Sequence, residues 1–339
     1  MRSLRTNKTL RTNVITYAVV VAAFVLFQAL GSAGVLSSTM KGQLVPICAY
    51  VLMALSLNLT VGILGELSLG HAGFMSIGAF AGAVTASAMQ DSVPSSALRL
   101  TVAVLVGAAL AAIVGVLIGI PVLRLNGDYL AIVTLAFGEI IKSIVNNLYI
   151  GMDVNGLHAS FLNNTIVLGE GGRMILSGPM GVPGIKKTAT FAAGFILILI
   201  ALFVIFNLVN SRAGRAIMAL RDNRIAAESV GINVTKYKLM AFVISAAIAG
   251  AGGALYGQAQ NAIIATKFDF NTSILILVFV VLGGLGNMLG SIVAAAALTI
   301  LPEALRQFSD YRMLVYAIVL ILVMLATNNP TLKSFFARL

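Results

Sequence analysis

Apolar stretches long enough to cross a membrane alternate with short polar segments along almost the whole chain. Hydropathy places these stretches near 14–34, 43–61, 70–90, 98–120, 128–149, 188–210, 238–259, 272–303 and 312–327. A helix needs about 20 apolar residues to cross the hydrocarbon core, and it satisfies its own backbone hydrogen bonds as lipid requires. The pattern therefore predicts an all-α, polytopic membrane helix bundle of roughly 8–10 spans. Little chain is left over, so residues 1–339 form one membrane domain.

The stretch 272–303 is too long for one untilted helix, and the sequence GGLGNMLG interrupts it at 283–290. It is either one tilted span or two shorter helices that re-enter the membrane and meet at the glycines. Broken helices are tolerated where protein or a water-filled cavity covers the backbone. We favour the re-entrant pair, with Gly284 and Asn287 as candidate residues of a translocation path. It places Lys333 and Arg338 in the cytoplasm, whereas a single span leaves the C-terminus outside.

The composition agrees with lipid as the solvent. Of 339 residues, 10% are charged and the mean hydropathy is +1.01, whereas soluble domains carry about 25% charged residues. The net charge of +11 reflects cationic cytoplasmic loops, so we expect no nucleic-acid partner. The single cysteine, Cys48, lies in an apolar stretch, permits no internal disulfide and is expected to serve packing.

The basic N-terminal segment sets the topology. Residues 1–12 precede an apolar stretch that is similar to a signal peptide, with Ala29-Leu30-Gly31 as a passable cleavage site. The stretch is also long enough to span and many spans follow, so we predict an uncleaved first helix and a cytoplasmic N-terminus. Counting spans then makes 151–187 an external loop and 211–238 a cytoplasmic loop. The second loop is strongly basic, as the positive-inside rule requires, with Arg212, Arg215, Arg221, Arg224, Lys236 and Lys238 against Asp222 and Glu228.

This cytoplasmic loop has the pattern of a short amphipathic helix. Apolar residues recur at intervals of three and four, namely Ala216, Ile217, Leu220, Ile225, Ala226 and Ala227. Gly231 is suited to end the helix, because glycine adopts the left-handed conformation common at helix C-termini. Such a helix fits a groove on a partner protein or the surface of anionic lipid, and the pattern alone leaves both open.

The sequence of 225–231, Ile-Ala-Ala-Glu-Ser-Val-Gly, resembles the EAA loop of ABC importer permeases, which docks the permease onto its ATPase. Ile225 stands where the general pattern has glutamate, and Glu228 is not a simple replacement. The longer stretch GRAIMALRDNRIAAESVGINV is similar to the variant in branched-chain amino-acid importer permeases. The resemblance implies that the ATPase-coupling residues are Arg221, Arg224, Ile225, Ala226, Ala227, Glu228 and Gly231.

Three further blocks, at 57–80, 124–147 and 283–306, resemble the same family, and the likeness covers about 43–325. The block GDYLAIVTLAFGE resembles the larger of the two permease types that pair in such importers, although the ending NNPTLKS departs from the family's usual Arg-Pro-x-Gly-Leu. The resemblance implies a multi-pass subunit in a prokaryotic cell membrane. It also implies a second homologous permease, two ABC ATPase subunits and an extracytoplasmic substrate-binding protein, docked near the loop 176–185.

A few polar residues within the apolar stretches are candidates for the translocation path. Glu66 and His71 flank LSLG where two spans meet, and either line a path or gate or brace a helix end. Glu139 and Lys142 lie three residues apart on one helix face, either as a neutralised pair or as a lining of the path. Asp128 heads the fifth span and is expected to stabilise the start of that helix.

Other functional classes have less support. The chain lacks G-x-x-x-x-G-K-[ST], so a partner must hydrolyse ATP and the chain itself needs no cofactor. HExxH and GxSxG are absent, and His158 has no partner at metal-ligand spacing, so we expect no catalytic or metal site. A proton-coupled transporter using Glu66, Asp128 or Glu139 is the alternative class. The family handles leucine, isoleucine and valine, and its relatives move urea, amides and other small polar solutes. Branched-chain substrates are therefore expected from the resemblance alone.

Overall fold

The structure of the chain is a computed structural model. It describes residues 2–34, 37–90, 92–125, 127–153, 156–163, 165–166, 168–169, 172–304, 317–318 and 321. Nearly all of the last predicted span, 312–327, and both Lys333 and Arg338 lie outside the described residues.

Helices make up most of the described chain. They are α1 (Arg2–Ser32), α2 (Ser38–Asn58), α3 (His71–Ala88), α4 (Ser96–Val122), α5 (Asp128–Asn146), α6 (Phe191–Asn210), α7 (Arg212–Asp222), α8 (Arg224–Ser229), α9 (Val234–Ala259), α10 (Phe270–Gly283) and α11 (Met288–Ala304). A π-helix, Leu59–Leu64, continues α2. Within the described residues, six helical stretches are long and apolar enough to cross a membrane: Asn13–Ser32, Ser38–Leu64, Ser96–Val122, Phe191–Asn210, Val234–Ala259 and Ala265–Gly283. The prediction of a polytopic helical membrane bundle is confirmed.

The centre of the bundle is a close packing of α3, α4 and α9, with α2 beside α9. Glycine makes this approach possible, because a methyl group on Gly78 would lie 2.0 Å from the Gly250 carbonyl oxygen. A methyl group on Gly253 would lie 2.0 Å from the carbonyl oxygen of Met75. Hydrophobic burial does not drive helices together in lipid, so association depends on such close van der Waals contact.

The helix α1 lies at the edge of the bundle and contacts α6 through aromatic rings. The ring centroids of Tyr17 and Phe206 are 5.7 Å apart in an edge-to-face arrangement, and those of Phe24 and Phe195 are 4.1 Å apart and stacked. Most of the segment Asn13–Ser32 of α1 is otherwise exposed, which is the expected condition of a helix surrounded by lipid.

The long apolar stretch 272–303 is broken where the glycines predicted a break. The helices α10 and α11 are joined by a turn at 284–287, in which Gly284 (φ +91°) and Gly286 (φ +82°) have left-handed conformations that favour glycine. The two helices are in close contact beside this turn. A methyl group added to Gly290 would lie only 1.8 Å from the Gly283 carbonyl oxygen. We call residues 284–287 the α10–α11 turn.

The predicted external loop contains a small sheet that the sequence analysis did not anticipate. Strands β1 (Leu148–Asp153), β2 (Gly156–Phe161) and β3 (Arg173–Ser177) pair antiparallel in the order β2-β1-β3. An isolated bridge between Val182 and Ile263 then ties the following segment to the connection between α9 and α10. The described part of the predicted external loop therefore carries a three-stranded sheet and a bridge to the α9–α10 connection.

We expect Gly78→Ala to lower the free energy of unfolding by about 2 kcal/mol, because overpacking a close helix contact forces backbone shifts. Gly42→Ala is the matched control, since Gly42 lies in α2 with nothing within 4 Å of an added methyl group. The measurement is the thermal midpoint in detergent, followed by a fluorophore that reacts with the buried thiol of Cys48 as the protein unfolds. Equal midpoints for the two variants would contradict the close packing of α3 and α9.

Candidate functional site

The predicted cytoplasmic loop folds as two short helices and not as the one helix predicted from the sequence. The chain turns at Asn223, whose backbone is extended (φ −156°, ψ 103°), and α7 ends immediately before it. Asn223 Oδ1 accepts a hydrogen bond from the Ala226 backbone N–H at 3.0 Å and so caps the start of α8. Gly231 has φ +82° just beyond the end of α8, in the left-handed conformation predicted for it.

Burial divides the apolar residues of α7 and α8 into two sets. Ile217, Leu220 and Ala227 are buried against the body of the protein, with Ala227 only 4% exposed. Ile225 is 80% exposed and Val230 is 76% exposed. Ile225 therefore does not share the buried face on which the helical pattern placed it. The buried set holds the loop on the bundle, and the exposed set leaves two large apolar side chains uncovered near the two ends of α8. We call these two exposed side chains the apolar patch.

The charged residues of the loop have different surroundings. Arg224 Nε donates to Glu228 Oε1 at 3.0 Å, an exposed pair at i,i+4 spacing that contributes about 0.5 kcal/mol at most. Arg221 Nη1 instead donates to the Gly62 carbonyl oxygen at 2.9 Å, in the last turn of the π-helix. Arg221 therefore connects the loop to the end of α2, a contact that spacing along the sequence did not reveal.

The π-helix ends in a break that separates α2 from α3. Gly65 follows it with φ +81°, and residues between it and α3 are not helical. A methyl group on Gly65 would lie 2.5 Å from Arg221 Cγ, so the arginine stem occupies the space beside this glycine. Short π-helical segments within α-helices occur frequently at functional sites. The break thus brings the cytoplasmic loop directly against a spanning helix.

Glu66 lies within this break and forms an ion pair with Lys238 in the first turns of α9. Both side chains are largely buried, and the Glu66 backbone N–H also donates to the Thr60 carbonyl oxygen at 3.1 Å. A buried charge is tolerated when it is paired and hydrogen-bonded. Glu66 is a candidate from the sequence alone, but its pairing with Lys238 is not apparent there, because the two residues are 172 positions apart.

His71 begins α3 and is completely buried. Its Nε2 lies 2.8 Å from Ser56 Oγ and 3.4 Å from Ser245 Oγ. Each hydroxyl also lies within hydrogen-bond distance of a carbonyl oxygen, that of Met53 for Ser56 and that of Ser56 for Ser245. Nδ1 of His71 has no hydrogen-bond partner among the described residues. His71 thus joins α2, α3 and α9 through one small polar network.

The α10–α11 turn lies beside the π-helix. Asn287 Oδ1 accepts from the Gly290 backbone N–H at 3.2 Å, and the Asn287 carbonyl oxygen accepts from Asn58 Nδ2 at 3.1 Å. Asn58 Oδ1 also accepts from the Gly286 backbone N–H at 2.8 Å. Gly284 and Asn287, the two candidates of this turn, therefore lie next to the segment that carries Glu66 and contacts Arg221.

Glu139 and Lys142 form an ion pair on α5, apart from the residues around the π-helix. The carboxylate side chain is 44% exposed, on the side of α5 that faces away from α3. Charged side chains in membrane helices face protein or water and avoid hydrocarbon. This side of α5 therefore needs a polar or protein cover. Asp128, the first residue of the helix, lies where the helix dipole favours a carboxylate.

Within the described residues, no three histidine, cysteine, aspartate or glutamate side chains are grouped as a metal site would require. His158 pairs with Asp153 across the β1–β2 hairpin, with Nε2 and Oδ1 2.9 Å apart.

Comparison with known proteins matches the chain to permease proteins of transport systems. The sequence model of the family described as "Branched-chain amino acid transport system / permease component" matches residues 39–324. The high-affinity branched-chain amino acid transport system permease proteins LivM of Salmonella typhimurium and Escherichia coli are 38% and 36% identical to the chain over 288 residues. These alignments cover 81% of this chain and 66% of each relative, so the chain spans just under two thirds of their length.

A more distant match is the ribose import permease protein RbsC of Escherichia coli, which is 28% identical over 288 residues and 82% of each chain. No solved structure gives a significant match.

We expect Lys238→Met to lower the free energy of unfolding by about 3 kcal/mol, because it leaves the carboxylate of Glu66 buried and unpaired. The double variant Lys238→Met with Glu66→Gln should recover most of that loss. Lys236→Met removes an exposed charge from the same segment and serves as the control. Thermal midpoints in detergent test this, and an additive loss in the double variant would rule out the pairing.

Proposed function

The chain belongs to the branched-chain amino acid transport system permease family, and on this premise we propose that it is the transmembrane permease subunit of an ATP-driven ABC importer. It is a multi-pass membrane protein with at least six apolar spanning helices in its described part. In the proposed assembly it is non-catalytic and forms half of the translocation pathway, and a second homologous permease forms the other half. Two ABC ATPase subunits bind on the cytoplasmic side, and a substrate-binding protein delivers solute outside.

The observation that carries the proposal is the apolar patch of Ile225 and Val230 on an otherwise charged loop. Large exposed apolar side chains beside arginines are typical of protein interfaces, in which an apolar centre is surrounded by a polar rim. The buried side chains of Ile217, Leu220 and Ala227 fix the loop to the bundle. A partner that binds the patch therefore acts on the whole bundle and not on a freely moving loop.

The pairing of the carboxylates favours this class over a proton-coupled transporter. Glu66 is paired with Lys238, and Glu139 is paired with Lys142. A proton-carrying carboxylate must become neutral during the transport cycle, and a lysine partner stabilises its charged form. The same residues are better explained as structural ion pairs around a translocation pathway that opens when the ATPase subunits hydrolyse ATP.

The outer side of α5 supports a second permease subunit. Besides the Glu139–Lys142 pair, this side exposes the apolar side chains of Tyr129, Ile132 and Ile140. A mixed face of this kind suits a protein partner or a shared aqueous pathway better than lipid alone. We place the translocation pathway between this face and the second permease.

We propose that the α7–α8 loop and the N-terminus are cytoplasmic and that the β1–β3 sheet is external. The basic residues of α7 and α8 support this orientation, because cytoplasmic loops are enriched in lysine and arginine. We assign the localisation to the cell membrane of a prokaryote. The external sheet is where the substrate-binding protein would bind.

Leucine, isoleucine and valine are the substrates we propose. The relatives that are 36–38% identical are named for branched-chain amino acids, and the ribose permease is 28% identical. The described spanning segments contain no residue whose contacts select an aliphatic side chain, so selection would rest with the substrate-binding protein. Urea, amides or another small polar solute remain the alternative within the same mechanism.

We expect Ile225→Asp to abolish co-purification of the ATPase subunits, because it replaces an exposed apolar side chain of the patch with a charge and leaves the bundle contacts intact. Thr235→Asp is the matched control, an exposed position in the same cytoplasmic loop. The measurement is affinity purification from native membranes in mild detergent, with mass spectrometry of the retained proteins. Retention of the ATPase by Ile225→Asp at normal membrane expression would exclude this patch as the docking surface. Ala227 is unsuited to this test, because its burial means that a larger residue would displace α8 itself.

We expect proteoliposomes that hold the complete importer to accumulate radiolabelled leucine only with internal ATP and external binding protein. Unlabelled isoleucine and valine should compete, and ribose and urea should not, because the proposed selectivity is for aliphatic amino acids. Uptake of urea or ribose in place of leucine would change the substrate and leave the importer class intact.

A further inference from the structure

We propose that Arg221 transmits the position of the ATPase-binding loop to the α10–α11 turn through the π-helix at the end of α2. We call the residues Arg221, Gly62, Asn58 and Gly286 the Arg221 link. The inference rests on the proposed function, because it requires an ATPase on α7 and α8. It adds a positioning role for named residues, and it identifies the α10–α11 turn as the part of the membrane domain that responds.

The first contact of the link joins α7 to the π-helix. Arg221 Nη1 donates to the Gly62 carbonyl oxygen at 2.9 Å. Its Nε and Nη2 donate to Asp222 Oδ1 at 3.1 and 3.0 Å, which holds the plane of the guanidinium group. The aliphatic stem fills the space beside Gly65. A hydrogen bond from a charged donor is stronger than a neutral one, so this contact resists separation of the loop from the π-helix.

The second contact joins Asn58, at the start of the π-helix, to the α10–α11 turn. Asn58 is completely buried and uses all of its side-chain hydrogen-bonding groups. Oδ1 accepts from the Gly286 backbone N–H at 2.8 Å. Nδ2 donates to the Asn287 carbonyl oxygen at 3.1 Å and to Ser291 Oγ at 2.8 Å. No water is needed to complete this set, so the turn and the end of α2 move together or break several hydrogen bonds at once.

Gly62 is the point where the two contacts meet. A methyl group there would lie 2.0 Å from Asn58 Oδ1 and 2.2 Å from the Gly286 nitrogen. Its carbonyl oxygen meanwhile accepts from Arg221. One backbone unit is thus in contact with the cytoplasmic loop on one side and with the α10–α11 turn on the other. This direct contact is why a displacement of α7 reaches the turn without passing through the rest of the bundle.

The structure around the Arg221 link favours movement of the π-helix. Each backbone hydrogen bond of a π-helix spans one residue more than that of an α-helix. The segment Leu59–Leu64 can therefore switch between π- and α-helical hydrogen bonding while it stays helical. Within the break itself, two residues after the π-helix, the Glu66–Lys238 pair fixes the chain to α9. Displacement of Arg221 therefore acts on the π-helix, and the glycines at 284 and 286 allow the turn to follow.

The test uses Leu285, which is 58% exposed at the tip of the α10–α11 turn. Cys48 is the only cysteine in the chain, so Cys48→Ala with Leu285→Cys gives a single labelling site. The complete importer is assembled in lipid nanodiscs, and the rate of reaction with a water-soluble maleimide is measured in the nucleotide-free state and with ATP and vanadate. We expect nucleotide to change this rate by roughly fivefold or more, the usual scale of coupling between two sites.

In preparations matched for the amount of bound ATPase, Arg221→Ala and Arg221→Gln should remove the nucleotide dependence of labelling and lower the substrate transported per ATP hydrolysed. Arg221→Gln retains part of the stem beside Gly65, so it separates the loss of the charged hydrogen bond from a loss of local folding. Arg212→Ala is the matched control, since it removes an exposed arginine from the first position of α7. It should leave the nucleotide dependence unchanged.

The other outcomes are distinct. If the wild-type ATPase binds and hydrolyses ATP but labelling at position 285 does not respond, the α10–α11 turn is not the responding element. If labelling responds equally in the Arg221 variants and in wild type, Arg221 is not the connection, and the proposed function stands. If wild type retains no ATPase, the proposed function fails, and the inference fails with it.

Discussion

The structure depends on one constraint: wherever a helix breaks inside the membrane domain, protein groups must satisfy the backbone that water would otherwise solvate. The two breaks described here, after the π-helix and at the α10–α11 turn, lie side by side and meet this need together. Asn58 satisfies the backbone of the turn, and Arg221 satisfies a carbonyl of the π-helix. The position of the cytoplasmic loop is a consequence of the same requirement, because its arginine is part of the cover.

Glycine supplies the second condition for this arrangement. The packing of α3 on α9 and the meeting of Gly62 with the α10–α11 turn both use positions where any side chain would collide. Close backbone approach makes these contacts stiff, whereas the π-helix between them is a place where winding can change. The described part of the domain thus combines a tightly packed centre with a π-helical segment beside the α7–α8 loop. That combination suits a protein that must change shape without losing its bundle.

The sequence predicted most of the fold, because hydropathy and glycine position report directly on spans and breaks. The break at 283–290 and the conformation of Gly231 were both predictable. The turn at Asn223 was not, because the apolar spacing continues across it as in a single helix. The sheet was missed because its strands are short and lie among glycines. Lys238 and Asn58 were missed because their partners are 172 and 228 residues away, a distance that no local pattern spans.

The exposed isoleucine of α8 has a consequence for the life of the protein before assembly. In the proposed assembly, a newly inserted copy without its ATPase would expose Ile225 and Val230 to the cytoplasm, where chaperones and proteases recognise apolar side chains. Binding of the ATPase would cover the same residues. The proposed function thus implies that an orphan subunit and an assembled one differ in what the quality-control machinery encounters, and that the supply of the ATPase limits the amount of permease that persists.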